Sequence, residues 1–191
     1  MKLTLLFIAG VISIIVNTDI SMLGIKIGDA KNVLADIRLT VVDKERDMIK
    51  YTTDNGNDFS VTMQNGKVVF MENDWLQNKK ATKPLFSNFI FGKTSLADTR
   101  AQFGTNGFVH KNRGMFKTET AVILFNCFEF DSPNHEVLVT ITKVPLSAKP
   151  TDNNIATLAM LDALIIADGN YLNEIWGAEK SYDANYVKIK P

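Results

Sequence analysis

The chain has 191 residues, 21 basic and 21 acidic side chains, and a hydrophobic content of 46%. That content suits a folded globular protein, and the neutral, dispersed charge gives no electrostatic footing for nucleic acid or an anionic membrane surface. A single cysteine, Cys127, excludes an internal disulfide, so the fold must rest on burial.

Lys2 precedes Leu3 to Val16, an uncharged run in which only Thr4 and Ser13 are polar. A basic residue before a short apolar run is the pattern of a secretory leader, and the run falls short of the roughly 18–20 residues of a spanning helix. Residues 1–21 are therefore read as a signal peptide or N-terminal anchor. The protein is expected to be exported, periplasmic or extracellular, and to touch a membrane only through an uncleaved leader. Peptidase cleavage needs small residues one and three positions before the cut. A cut after Thr18 places Val16 at the outer position; a cut after Ser21 places Asp19 there, which is poor. Gly28-Asp29-Ala30 fits the pattern but lies far from the run. Ile20, Met22, Leu23, Ile25 and Ile27 extend the apolar character, as an anchor would. No cysteine stands near the end of the run, which excludes a lipoprotein anchor.

Residues 24–75 read as a first unit. Asp29 to Leu39 fits a short helix with Val33, Leu34 and Ile37 on one side. Alternation then predicts strands over Met48–Thr53, Phe59–Gln64 and Lys67–Glu72. Asn55-Gly56 and Asn65-Gly66 between them are hairpin signals, because both residue types tolerate positive φ. Residues 76–90 read as a linker with Lys79-Lys80 and Pro84.

Residues 91–145 read as a second unit. Ser95 and Asp98 form a capping box for a helix carrying Leu96, Thr99 and Phe103 inward, and Gly104 ends it. Strands are predicted near Gly107–Lys111, Met115–Thr118, Ala121–Phe130 and His135–Val144. Residues 146–191 read as a C-terminal tail packed on the core. In it, Ile155 to Ala167 is expected to be an apolar helix, Tyr171 to Trp176 a further helical turn, and Tyr186 to Lys190 a closing strand. The expected fold class is α+β: two helix-plus-antiparallel-meander units in tandem, with a C-terminal helical segment.

Ile27-Gly28 and Phe91-Gly92, each opening a helix followed by a meander, resemble the repeat of beta-lactamase inhibitor proteins. The small lipoprotein of the outer-membrane assembly machinery is similar. The resemblance covers roughly Gly24 to Val144 and rests on order and spacing. It implies a tandem α+β fold and an exported protein-binding module. The chain lacks that family's lipoprotein cysteine and paired cysteines, and no functional residue carries over.

Chemistry-bearing motifs are sparse. The chain has no nucleophile elbow, no Walker loop and no Gly-x-Gly-x-x-Gly. Asp54, Asn57 and Asp58 fail as a calcium loop because Gly56 is misplaced and no Glu closes it. His110 and His135 have no partner ligand in sequence and are expected to be solvated; Cys127 is expected to be a buried, inert thiol. No catalytic residue, metal or cofactor is expected. The candidate binding surface comprises Lys111, Arg113 and Lys117, a cationic stretch beside Phe108 and Phe116 suited to an anionic or acidic partner. It also includes Trp75 and Trp176, and Asp162, the one carboxylate inside the apolar stretch. The expected function is non-enzymatic protein binding of an inhibitor-like kind. Two alternatives stay open: an enzyme with a dispersed site built from Asp162, His110 or His135, and Lys111 or Arg113, or a structural envelope component.

Overall fold

The computed structural model describes residues 20–44 and 47–190. The leader reading, residues 1–21, falls outside this range except for Ile20 and Ser21. In chain order the elements are a 3-10 helix (Lys31–Asp36), β1 (Thr40–Lys44), β2 (Met48–Thr52), β3 (Asp58–Gln64), β4 (Lys67–Asp74) and α1 (Leu96–Phe103). There follow β5 (Phe108–His110), β6 (Met115–Lys117), β7 (Ala121–Glu129), β8 (Glu136–Pro145) and a 3-10 turn (Leu146–Ala148). Then come α2 (Ile155–Leu158), β9 (Met160–Asp168), α3 (Gly169–Trp176) and β10 (Lys180–Tyr182).

The strands form one antiparallel sheet in the order β1-β2-β3-β4-β9-β8-β7-β5-β10, with β6 attached to β7. The tandem α+β arrangement is therefore not the fold. The two expected units are one sheet, and the two-unit pattern behind the resemblance is absent. The correction lies in Ile155–Ala167. Only Ile155–Leu158 is helical; Met160 onward is β9, hydrogen-bonded to β4 on one side and β8 on the other. The meander β1–β4 and the hairpin β7–β8 each end in an open edge, and β9 satisfies both at once. A strand buried on both faces shows no alternation, so its sequence reads as a continuous apolar run.

Smaller corrections follow the same logic. The expected helix over Asp29–Leu39 shrinks to one 3-10 segment in which Leu34 alone is buried, and its C-terminal end gives way to the edge strand β1. No strand forms over Tyr186–Lys190; Ile189 makes a single bridge with Phe130, and the C-terminal strand is β10. The capping box of α1 is formed, with Asp98 N–H donating to Ser95 Oγ at 3.1 Å and Ser95 N–H donating to Asp98 Oδ2 at 2.9 Å. Gly104 closes the helix in the left-handed region, φ 65°.

One sheet face carries the larger core. Phe59, Val61, Met71, Leu138, Phe128, Leu164 and Ile166 point into it. Its cover comes from α1, from Phe86, Phe89 and Phe91 of the β4–α1 connection, and from the N-terminal stretch. Ile20, Met22, Ile25 and Ile27 are all buried here, so the apolar character after Asp19 is core packing. Gly28 N–H donates to Val68 O at 2.8 Å, which docks this stretch on β4. Buried Asn57 and Asn73 tie the β4–α1 connection down: Asn57 Nδ2 donates to Ala81 O at 2.9 Å, and Asn73 Oδ1 accepts from Leu85 N–H at 2.9 Å.

The opposite face is only half covered. Leu172 of α3 packs with Val137, Val139, Ile165 and Ala167. β9 runs straight into α3, whose first turn is capped by Asp168 accepting from Asn170 N–H at 2.7 Å. Among the described residues, no helix is long and apolar enough to cross a membrane.

Candidate binding face

Strand register puts side chains in rows across the half-covered face. One row is Glu72, Ile165, Val139, Cys127 and Phe108. The next is Asp74, Ala163, Ile141 and Phe125; the last is Met160, Lys143, Ile123 and Phe116. α3 lies over the first of these and leaves most of the last two open.

Arg113 stands over the open part. Its guanidinium carbon lies 5.3 Å from the Phe116 ring centre, 5.3 Å from Phe125 and 5.5 Å from Trp176. Phe125 meets Phe116 at 74° and Trp176 at 85°, so the rings form the walls of a box. The guanidinium is exposed, and among the described residues no carboxylate pairs with it. Ring contacts of this kind do not use up the N–H donors of a guanidinium, which stay available for a carboxylate. Arg113 and Trp176 are thus brought together. Lys111 is not in the group; it pairs with exposed Glu179 at 3.0 Å. Lys117 is not either: it sits one residue from Phe116 on β6, and alternation sends it to the other face.

Acidic residues flank the same face at β3 and β4. Asp58 is opposite Asp74 and pairs with Lys50 at 2.8 Å. Glu72 is raised to about 7, first by burial and then by Asp74, with Arg113 and Lys50 opposing. Burial, then Asp58, raises Asp74 as well, against Lys50. Glu72, Asp74 and Lys143 belong to the same face, although no motif singles them out. The signal was there in β4, where residues two apart share a face.

Asp162 and Trp75 meet at the rim. Ile141 pairs with Ala163 and Thr142 with Leu161, so Asp162 is the extra residue of a β-bulge. Trp75 N–H donates to Asp162 O at 2.9 Å. Both side chains line a cavity of about 350 Å³ shared with Gly92, Ala121, Lys143, Pro145, Leu158 and Met160. The Trp75 indole stacks on Phe91 at 6.2 Å and 6° between planes. Gly92 makes room for it, since a Cβ there would lie 2.5 Å from the indole.

The histidine expectation fails for His110. It is 1% exposed, and its Nδ1 lies 2.8 Å from Gly177 O. A carbonyl only accepts, so Nδ1 carries the proton and Nε2 is left a buried acceptor without a partner. Burial lowers its pKa, Lys180 adds to that, and the Gly177 carbonyl opposes. His135 is exposed. His110 on β5 and Asp162 on β9 are three strand spacings apart, about 14 Å. They do not assemble an acid–base pair. Cys127 is buried and inert, its thiol pushed up to about 12 by desolvation. Among the described residues no group of His, Cys, Asp and Glu is arranged to hold a metal.

No protein-family model matches the chain, and no curated protein and no solved structure matches it.

Proposed function

We propose that this chain is an exported, non-enzymatic binding module that grips an acidic segment of a partner protein on the open half of its sheet. The observation that carries the reading is Arg113, exposed among three rings, with no carboxylate paired to it among the described residues. Trp, Arg and aromatic neighbours on a partly apolar face are what interface hot spots are made of. Asp58 and Asp74, opposite each other at the flank of this face, disfavour a uniformly acidic surface and so favour a partner with one acidic point on an apolar strip.

The test is a photo-reactive residue in place of Phe116, which is 38% exposed. Irradiation of the producing cells is expected to give one discrete cross-linked protein. Arg113→Ala is expected to weaken that complex tenfold or more, about 1.4 kcal/mol. A cross-link that survives Arg113→Ala undiminished, or none above the unirradiated control, would overturn the reading.

Export rests on Lys2 and the apolar Leu3–Val16 run. The buried Ile20 and Met22 bear on where a cut can fall. A cut after Thr18 leaves both on the mature chain; one after Ala30 removes Met22, Ile25 and Ile27 from the core. N-terminal sequencing of the mature protein is expected to begin at Asp19. A start at Lys31 would contradict the proposed boundary.

A further inference from the structure

The cavity beside the Asp162 bulge holds a pattern that partner binding on the open face does not use. One wall is the Trp75 indole, fixed by its stack on Phe91 and by Nε1–H donating to Asn78 O at 3.1 Å. Ala121, Pro145, Leu158 and Met160 add apolar lining. Two charged groups of opposite sign, Asp162 and Lys143, also line it. Among the described residues neither makes a side-chain hydrogen bond or an ion pair, with each other or with anything else. The bulge is what brings the carboxylate here. Without the extra residue, the strict alternation of β9 would fix Asp162 on one face of the ladder.

We propose that this cavity binds a small zwitterion with an apolar side group, of the class of a free aromatic or branched α-amino acid. Lys143 takes the carboxylate, Asp162 takes the ammonium, and the side group lies against Trp75. A volume of about 350 Å³ lies at the small end of the roughly 300–1,000 Å³ typical of small-molecule sites. A ligand with both charges satisfies both unpaired groups. A ligand with one charge leaves the other side chain partly desolvated and unpartnered, which costs affinity. Asp162 is consistent with such a role: burial raises its pKa, and Lys143 offsets part of that. An incoming ammonium completes the compensation.

The chain has two tryptophans, so Trp176→Phe leaves Trp75 as the single fluorescent reporter. In that background L-phenylalanine and L-leucine are titrated, with L-phenylalaninamide and 3-phenylpropionate as the one-charge analogues. The expected result is a saturable change in Trp75 emission with at least one of the amino acids. Its affinity is expected to be tenfold or more above that for either analogue. Asp162→Asn and Lys143→Met, each checked for an unchanged thermal midpoint, are expected to lose tenfold or more. No saturable change with either amino acid, equal binding of an analogue, or undiminished binding by both variants would overturn the proposal. None of these outcomes depends on Arg113 or a protein partner, so this site and the partner face stand or fall separately.

Discussion

Leu164→Ala is expected to lower the stability of the fold by roughly 3–5 kcal/mol, measured by urea unfolding. Leu164 is 0% exposed, at the middle of β9, with Asn73 of β4 and Thr140 of β8 as its cross-strand neighbours. It packs in the larger core with Phe59, Phe91 and Phe128. Truncation leaves a void among strands that are ladder-bonded on both sides and have little freedom to collapse. Against a total stability of about 5–15 kcal/mol, that loss is a large fraction. Ile175→Ala is the control: Ile175 is 45% exposed on α3, and its change is expected to stay near 0.5 kcal/mol. A loss under about 1 kcal/mol at Leu164 would mean that β9 is not the centre of the sheet.

The second large effect depends on pH. Glu72 has an ordinary value of 4.5 and stays protonated in the fold up to about 7, because it is half-buried beside Asp74. Between those two values the folded chain holds a proton that the unfolded chain has released. The stabilising contribution of the neutral carboxyl is complete below pH 4.5 and is lost as pH rises through 7. At about 1.4 kcal/mol per pH unit, the loss amounts to about 3 kcal/mol. Glu72→Gln keeps the shape and removes the titration. The variant is expected to be more stable than the parent by roughly 2–3 kcal/mol at pH 8 and equal to it at pH 4. Parallel stability profiles from pH 4 to 8 would contradict this assignment.

How much was legible in the sequence follows from what each element had to satisfy. β2, β3 and β4 bury one face, so alternation marks them, and Asn65 and Gly66 at φ 53° and 74° mark their hairpin. α1 announces itself through Ser95 and Asp98, a local hydrogen-bond pair. β9 was illegible for the opposite reason. Buried on both faces, it shows no period; Leu161, Ala163 and Leu164 favour helix locally, and the bulge at Asp162 breaks the remaining rhythm. Tertiary pairing with β4 and β8 decided its state. The candidate site divides in the same way. Asp162, Trp75, Arg113 and Trp176 stood out as residue types, but only the path of α3 brings Trp176 to Arg113, and only the bulge brings Asp162 to the cavity.

The position of β9 also fixes the order in which the fold can close. β4 and β8 are synthesised first, and each waits with an unpaired edge until residues 160–168 arrive. The sheet is therefore completed by insertion of a late strand between two earlier ones, not by stepwise zipping from one end. Such non-local closure is slow compared with hairpin formation. Nascent chains not yet extended to residue 160 present two strand edges at once, which is an aggregation hazard and a natural site for a holding chaperone.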